Sequence, residues 1–521
     1  TSGAGNVAMG YEALKNVVSG EANIAIGYEA AEGFSVGESK NIAIGFETMT
    51  LFDEGDAGGD VDHNIAIGHQ AFTGGDLASN DRQVQANIAI GAFALNSTAD
   101  NAMTGTIAIG YQAGTSITSG QRQTFIGYQA GYSTTTGDEN VFIGYQSGYS
   151  EVDGIGNIYI GKQAGYNIGD GSYNVAIGEE AMKSTGTAAD NNAVYNTAVG
   201  NQAGYGLTTG DYNVFLGSGA GFSSTTVQGS IAIGYNAMRV HTTGGDNIAI
   251  GQAAMDDTDA GSTSLGSTNN IFIGKHSGGG TWADAASNYN VAIGNLSMDD
   301  ALNAAHYNMA MGYGALGALT EGDSNLAIGH GAGSALTTGL GNIILGRGAG
   351  DAMTTNTGVI AIGYYAGSDL NNNNGNYSVI IGHEAGGNIT SANPNHLMGY
   401  RSGYAITTGG MNVASGYETL RYNETGYGNV AMGYYAAQYV TSSMNVSIGL
   451  EAGRGKSSAP YNSGESNISI GAYTGHDLST GKRNVSIGGN AGHALDTGTD
   501  NTLLGNNAGY NVKDAVGYPI R

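Results

Sequence analysis

Asn140-Val-Phe-Ile-Gly-Tyr-Gln-Ser-Gly148 is followed, seventeen residues on, by Asn157-Ile-Tyr-Ile-Gly-Lys-Gln-Ala-Gly165. The same pattern returns as Asn213-Val-Phe-Leu-Gly-Ser-Gly-Ala-Gly221. With the glycine after the apolar triplet taken as an anchor, 28 copies run from Gly10 to Gly505, and most successive gaps are 17 residues. So short and persistent a period means a stacked, quasi-one-dimensional architecture and not a globular core around an active site.

Position −4 from the anchor is mostly Asn, and −3 to −1 are apolar, as in Ile24, Ala25 and Ile26. Position +1 is often Tyr, +3 usually Ala, +4 often a second Gly and +7 often apolar, as in Ile117 and Ile168. A third Gly at +10 frequently follows Thr, as at Gly120 and Gly137. A helix has no room between glycines spaced this closely. The β-branched triplet suits a short strand, the Thr-rich stretch before +10 suits a second, and the glycines suit the corners. The expected fold is all-β, a parallel β-solenoid or β-roll of 28 coils with two short strands per coil. Coils piled at about 4.8 Å would give a rod on the order of 130 Å long. Residues 1–510 read as one continuous repeat domain and 511–521 as a non-repeat tail. Asn140, Asn157 and Asn174 are expected to form a structural amide ladder, with Gly127, Gly144 and Gly161 as a ladder of anchors beside it.

Composition narrows the function. There are 92 Gly but only three Pro, and the Gly period is not three, which excludes collagen. Apolar triplets that keep phase argue against a disordered linker. A formal charge of −26, with 17 Lys plus Arg, disfavours nucleic acid and anionic membranes as partners. No apolar run approaches 18 residues, so no membrane insertion is expected. Cys is absent, which says little about compartment in a long stacked core. The chain starts inside the pattern at Thr1, without an initiator Met or a signal peptide, and reads as a mature product or an excised piece.

Strand side chains alternate between faces. Placing −3 and −1 inside the coil leaves −2 outside, where Phe125, Phe142, Tyr159, Phe215 and Phe272 would form an exposed apolar stripe. A strand apolar on both faces is buried on both, so the stripe is expected to be an interface between copies, three parallel chains in a homotrimer. It turns polar late, at Ser447, Ser469 and Ser486.

Asn-apolar-Ala-Ile-Gly-Tyr-x-Ala-Gly followed by Thr-Thr-Gly resembles the head repeats of trimeric autotransporter adhesins, and equally the repeats of bacteriophage tail fibres. The resemblance spans Asn6 to Gly509. It implies a left-handed parallel β-roll that trimerises about a common axis. Two departures stand out: the adhesin unit is shorter, and that family's stalk, neck and outer-membrane anchor have no counterpart here. Fibres of the phage type often lose a self-cleaving chaperone domain, and a tail that leaves the repeat at Asn511 is compatible with such processing.

Nothing reads as catalysis. The ten His are scattered without metal-site or triad spacing, and His69, His330 and His383 occupy the +1 position of Tyr. Gly217 to Gly221 mimics a phosphate loop but lacks the Lys-Ser/Thr ending and the helix such loops need. Two insertions are acidic, with Asp56 and Asp60 in one and Asp256 and Asp259 in the other as calcium candidates. Simple solvated loops are the plainer reading. No other cofactor is expected. The row Tyr111, Tyr128 and Tyr145 could bind sugar rings of a cell-surface glycan or a protein receptor, or could merely stabilise neighbouring coils. The expected role is a structural fibre, extracellular, on a virion appendage or a cell surface, supporting attachment. The alternatives are a cell-surface adhesin binding through its loops and a self-assembling extracellular filament.

Overall fold

The computed structural model describes residues 3–53, 60–75, 82–98, 102–258, 266–282, 285–371, 375–458 and 461–513. They fall into two compact units, Thr1–Asp259 and Ala260–Arg521. Each unit holds fourteen coils of a parallel β-solenoid, one per anchor glycine. A 3-10 turn stands at Ala188–Asp190, and among the described residues no helix is long and apolar enough to cross a membrane.

In every coil the apolar triplet is a three-residue strand, as at Thr124–Ile126, Val141–Ile143 and Ile158–Ile160. Neighbours pair in parallel and in register, Phe125 beside Phe142 and Phe142 beside Tyr159. Among the described residues the second strand expected in each coil forms in three, Asp60–Asp62, Gln83–Gln85 and Met103–Thr104, which make a small sheet of their own. These belong to coils lengthened or flanked by insertions. In a seventeen-residue coil the Thr-rich stretch must bend back towards the next triplet and has no length left to run straight. It still bonds from coil to coil, for example Thr135 N–H to the carbonyl of Val152 at 2.9 Å. The turn residues do the same, Gln129 N–H to Tyr111 O at 2.9 Å and Gly131 N–H to Ser147 O at 2.9 Å. Inter-coil bonding therefore joins strand, turn and Thr-rich stretch alike to the next coil.

The faces of the strand are the reverse of the expectation. Phe125, Phe142, Tyr159, Phe215 and Phe272 at −2 are fully buried inside their own chain. The β-branched residues at −3 and −1 are the ones that face out, half-buried by their neighbours in the row. The reason is parity: Asn at −4 is buried, and residues two apart on a strand share a face, so −2 follows it inward. Phe125, Phe142 and Tyr159 stack inside the coils with ring centroids 5.1 and 4.9 Å apart. They are core, not an interface stripe. Ser447, Ser469 and Ser486 accordingly line the interior too.

Anchor glycines hold φ near +138°, as at Gly127, Gly144 and Gly161. A Cβ on any of these three would lie 2.3–2.4 Å from the carbonyl oxygen of the next anchor. Coil spacing itself thus forbids a side chain there, beyond the strain of the backbone angle.

Candidate functional site

Six rows of side chains run along the stacked coils, and each is set by position in the repeat. The first is internal. Asn140, Asn157 and Asn174 are fully buried, and each hands on the same bonds. The Asn157 N–H donates to Asn140 Oδ1 at 2.8 Å and the Asn174 N–H to Asn157 Oδ1 at 2.9 Å. The amide nitrogens close the coils: Asn140 Nδ2 donates to Gly154 O and Asn157 Nδ2 to Gly171 O, both at 2.7 Å. The carboxamide thus ties the start of a coil to its third glycine and to its neighbour. Gln123 takes the same place one coil earlier, its amide bonded to Gly137 O and its oxygen accepting the Asn140 N–H at 3.1 Å.

The second row is the outward strand face. Val or Ile stands at −3 and −1 in most coils of each unit, and the row holds no Asp, Glu, Lys or Arg, with His396 at −3 in one coil. The third is the Tyr row at +1. Tyr111, Tyr128 and Tyr145 stack face to face with centroids 5.3 Å apart. His69, His330 and His383 sit in this row, stacked on Phe46, Tyr313 and Tyr364. Because each ring covers the next, the row presents edges and hydroxyls to solvent, not the open faces on which a sugar stacks.

Two further aromatic rows went unremarked in the sequence. Tyr132, Tyr149 and Tyr166 stack at +5 with spacings of 5.0 Å. Tyr173, Tyr195 and Tyr212 stack at −5 with spacings of 5.1 and 5.2 Å. Each row was legible from its fixed place relative to the anchor glycine, as Tyr is at +1. Gln112, Gln129, Gln146 and Gln163 at +2 form the sixth row, an external amide ladder with bonds of 2.8, 3.0 and 3.1 Å.

The +1 row is broken at Asn201 and Ser218, and Gly219 at +2 adds no side chain either. The result is a notch of about 320 Å³ walled by Asn201, Gln202, Phe222, Tyr235, Asn236 and Arg239. With Ser218 below it, Tyr235 is 58 % exposed against 44 % for the stacked Tyr128.

Two titratable residues occupy the inward +7 position, where Ile or Leu is usual. Glu151 is fully buried beside Tyr159, whose hydroxyl donates to Glu151 Oε2 at 3.3 Å. Burial pushes the Glu151 carboxyl well above the usual carboxylate range, and burial likewise raises the Tyr159 hydroxyl. His241 is also fully buried, its Nδ1 2.8 Å from Thr258 Oγ1 and its Nε2 3.0 Å from Gly244 O. Burial pushes this imidazole down to about 4.

Of the calcium candidates, Asp56 and Asp259 lie outside the described residues. Asp60 accepts a bond from Gln85 Nε2 at 3.0 Å, and Asp256 O accepts the Val240 N–H at 2.8 Å. Among the described residues, groupings that could hold a metal arise elsewhere, at Glu12, Glu29 and Glu32 and at His476, Asp477 and His493. In the first, Lys15 already bridges Glu12 and Glu32. The second corrects the view of the histidines as scattered: His476 and His493 are one coil apart and stack at 4.9 Å. Compared with models of known protein families and with curated proteins, the chain matches none.

Proposed function

We propose that this chain is the shaft of an extracellular fibre, built from parallel copies of itself, on a virion appendage or a cell surface. The observation that carries the reading is the outward strand face. Within each unit it repeats two apolar side chains per coil at the coil spacing, half-exposed and nearly uncharged. An apolar ribbon of that extent marks an association surface. A partner that meets it continuously must share its repeat, and another copy of the chain does. Three copies are the number implied by the resemblance to adhesin heads and tail fibres. A stacked solenoid that associates with copies of itself suits a part that holds an attachment site away from a surface.

Mass photometry of the chain tests this, with the expected particle at three times the 52.6 kDa chain mass. Ile126→Lys combined with Ile160→Lys places charge on the outward face two coils apart and is expected to yield folded monomer. A wild-type chain that is folded and monomeric in dilute buffer would defeat the reading.

A second reading, a cell-surface adhesin, is favoured by the notch at Ser218. An uncovered Tyr face flanked by amides and a guanidinium fits a sugar ring. Glycan-array binding that disappears with Tyr235→Ala, and not with Tyr128→Ala, is the outcome expected of it. Binding indifferent to Tyr235 would remove the notch from consideration.

A further inference from the structure

Successive coils place equivalent residues one above another, so a metal site in a solenoid is spaced by the coil length and not by a helical turn. His476 and His493 both stand at +5, seventeen residues apart, with rings 4.9 Å apart and 7° from parallel. Asp477 follows His476 in the same coil, and its N–H donates to His493 O at 3.0 Å, which pins the two coils together at this point. Its carboxylate reaches both rings: Oδ1 is 2.7 Å from His476 Nδ1 and Oδ2 is 3.9 Å from His493 Nδ1. One ligand atom from each of the three residues lies within 4.8 Å of the others.

A fourth residue orients the first ring. Glu451, from the coil before, places Oε2 3.0 Å from His476 Nε2 and is itself held by Arg454 at 2.7 Å. Glu451 at Nε2 fixes the plane of the His476 ring, and Nδ1 then faces Asp477. Outer carboxylates fix ligating imidazoles in this way in metal proteins. A metal ion bound here would take the place of the hydrogen that His476 Nδ1 and Asp477 Oδ1 share at 2.7 Å.

We propose that His476, Asp477 and His493 bind a divalent transition-metal ion of the zinc class, with Glu451 as a positioning residue. Two imidazoles and one carboxylate suit zinc, nickel or copper and not calcium or magnesium, which take all-oxygen sites. The three side chains are part-exposed, and His476 and Asp477 line an open cavity of about 220 Å³, where a water could complete the coordination. The nearby cations do not compete for the site: Arg454 is bonded to Glu451 and Lys456 to Asp496.

Titration calorimetry of the full, untagged, chelator-dialysed chain with zinc chloride tests this. One zinc per chain is expected at this site, absent in His493→Ala and in Asp477→Asn, with circular dichroism confirming that each variant is folded. Glu451→Gln is expected to weaken binding about 10–100-fold, as loss of an outer-shell partner does. Cobalt is expected to bind in place of zinc and give visible absorption bands lost in the same variants, and calcium is expected not to compete. No zinc uptake, or uptake unchanged in both His493→Ala and Asp477→Asn, would overturn the proposal.

Discussion

Gly148 and Phe142 show how one coil fills its interior. A Cβ on Gly148 would come within 2.5 Å of the Phe142 ring, and the residue sits at φ +58°. The same pairing holds at Tyr159 with Gly165, Phe215 with Gly221 and Phe272 with Gly278. Where −2 is Ala, +4 is often large, as in Ala89 with Leu95 and Ala176 with Met182, all buried. The two positions share one volume, and Leu95 and Met182 accept a left-handed backbone to fill it, with φ of 49° and 47°. Gly148→Met alone is therefore expected to destabilise by about 1–3 kcal/mol through overpacking, and Phe142→Ala in the same chain to relieve it. Urea denaturation of the singles and the double reads the coupling, and additive effects would refute a shared volume. This exchange was legible in the sequence, but only by comparing copies; a consensus erases it. The same holds at +7, where the consensus hides Glu151 and His241. The two titrate in opposite senses. Glu151 has its folded pKa raised, so its stability contribution is full below the ordinary carboxylate range and is lost as pH rises through the folded value. Glu151→Gln is expected to match the parent near pH 4 and exceed its melting temperature at pH 8. His241 is depressed from 6.5 to about 4, so stability present above 6.5 is lost as pH falls between those values. That loss is about 3 kcal/mol, and an acid titration of His241→Asn is expected to lack it.

Within a coil, the strand and the Asn before it act together. Asn157 gives its amide to Gly171 O and its oxygen to the Asn174 N–H, so truncation strands two buried backbone groups. Asn157→Ala is expected to cost about 1–3 kcal/mol and to speed hydrogen exchange in the coils of Tyr159 and Ala176 before others. Asn157→Gln is expected to cost less, because Gln123 already serves in that position. Equal losses for Ala and Gln would show that side-chain volume matters there and hydrogen bonding does not. The ladder also explains why strand position was legible and strand orientation was not. The triplet is apolar at all three positions, so hydrophobicity cannot say which face is inside. Phase comes from the polar residue: a buried Asn at −4 commits −2 to the interior. The interior so defined is narrow, which is why Ala is its commonest lining at −2 and +3 and why the bulkier β-branched pair is left outside.

At the scale of the molecule, the period made the fold legible, because a repeat too short to bury its own core must stack. What the period did not convey is which residues the stack brings together, since in a solenoid the spatial neighbour of a residue lies one coil on, at i + 17 for the histidines, the tyrosines at +5 and the Gln ladder and at i + 22 from Tyr173 to Tyr195 across a longer coil. The proposed assembly would rest on two opposed terms. Copies carrying a formal charge of −26 would repel one another, and the outward strand faces, almost without charge, would attract by burial of Val and Ile. Repulsion between exposed charges is screened as the Debye length falls from about 30 Å at 0.01 M salt to about 10 Å at 0.1 M, and apolar burial is not. Self-association is therefore expected to strengthen as sodium chloride is raised over that range, with the trimer fraction in sedimentation velocity rising at fixed protein concentration. Ile126→Lys with Ile160→Lys lowers the net negative charge, so electrostatic repulsion alone predicts tighter assembly of this variant, whereas burial of the strand face predicts looser. Loss of the trimer in that variant at both salt concentrations assigns the contact to the strand face, and a trimer that persists in it, or that salt dissociates, places the contact elsewhere.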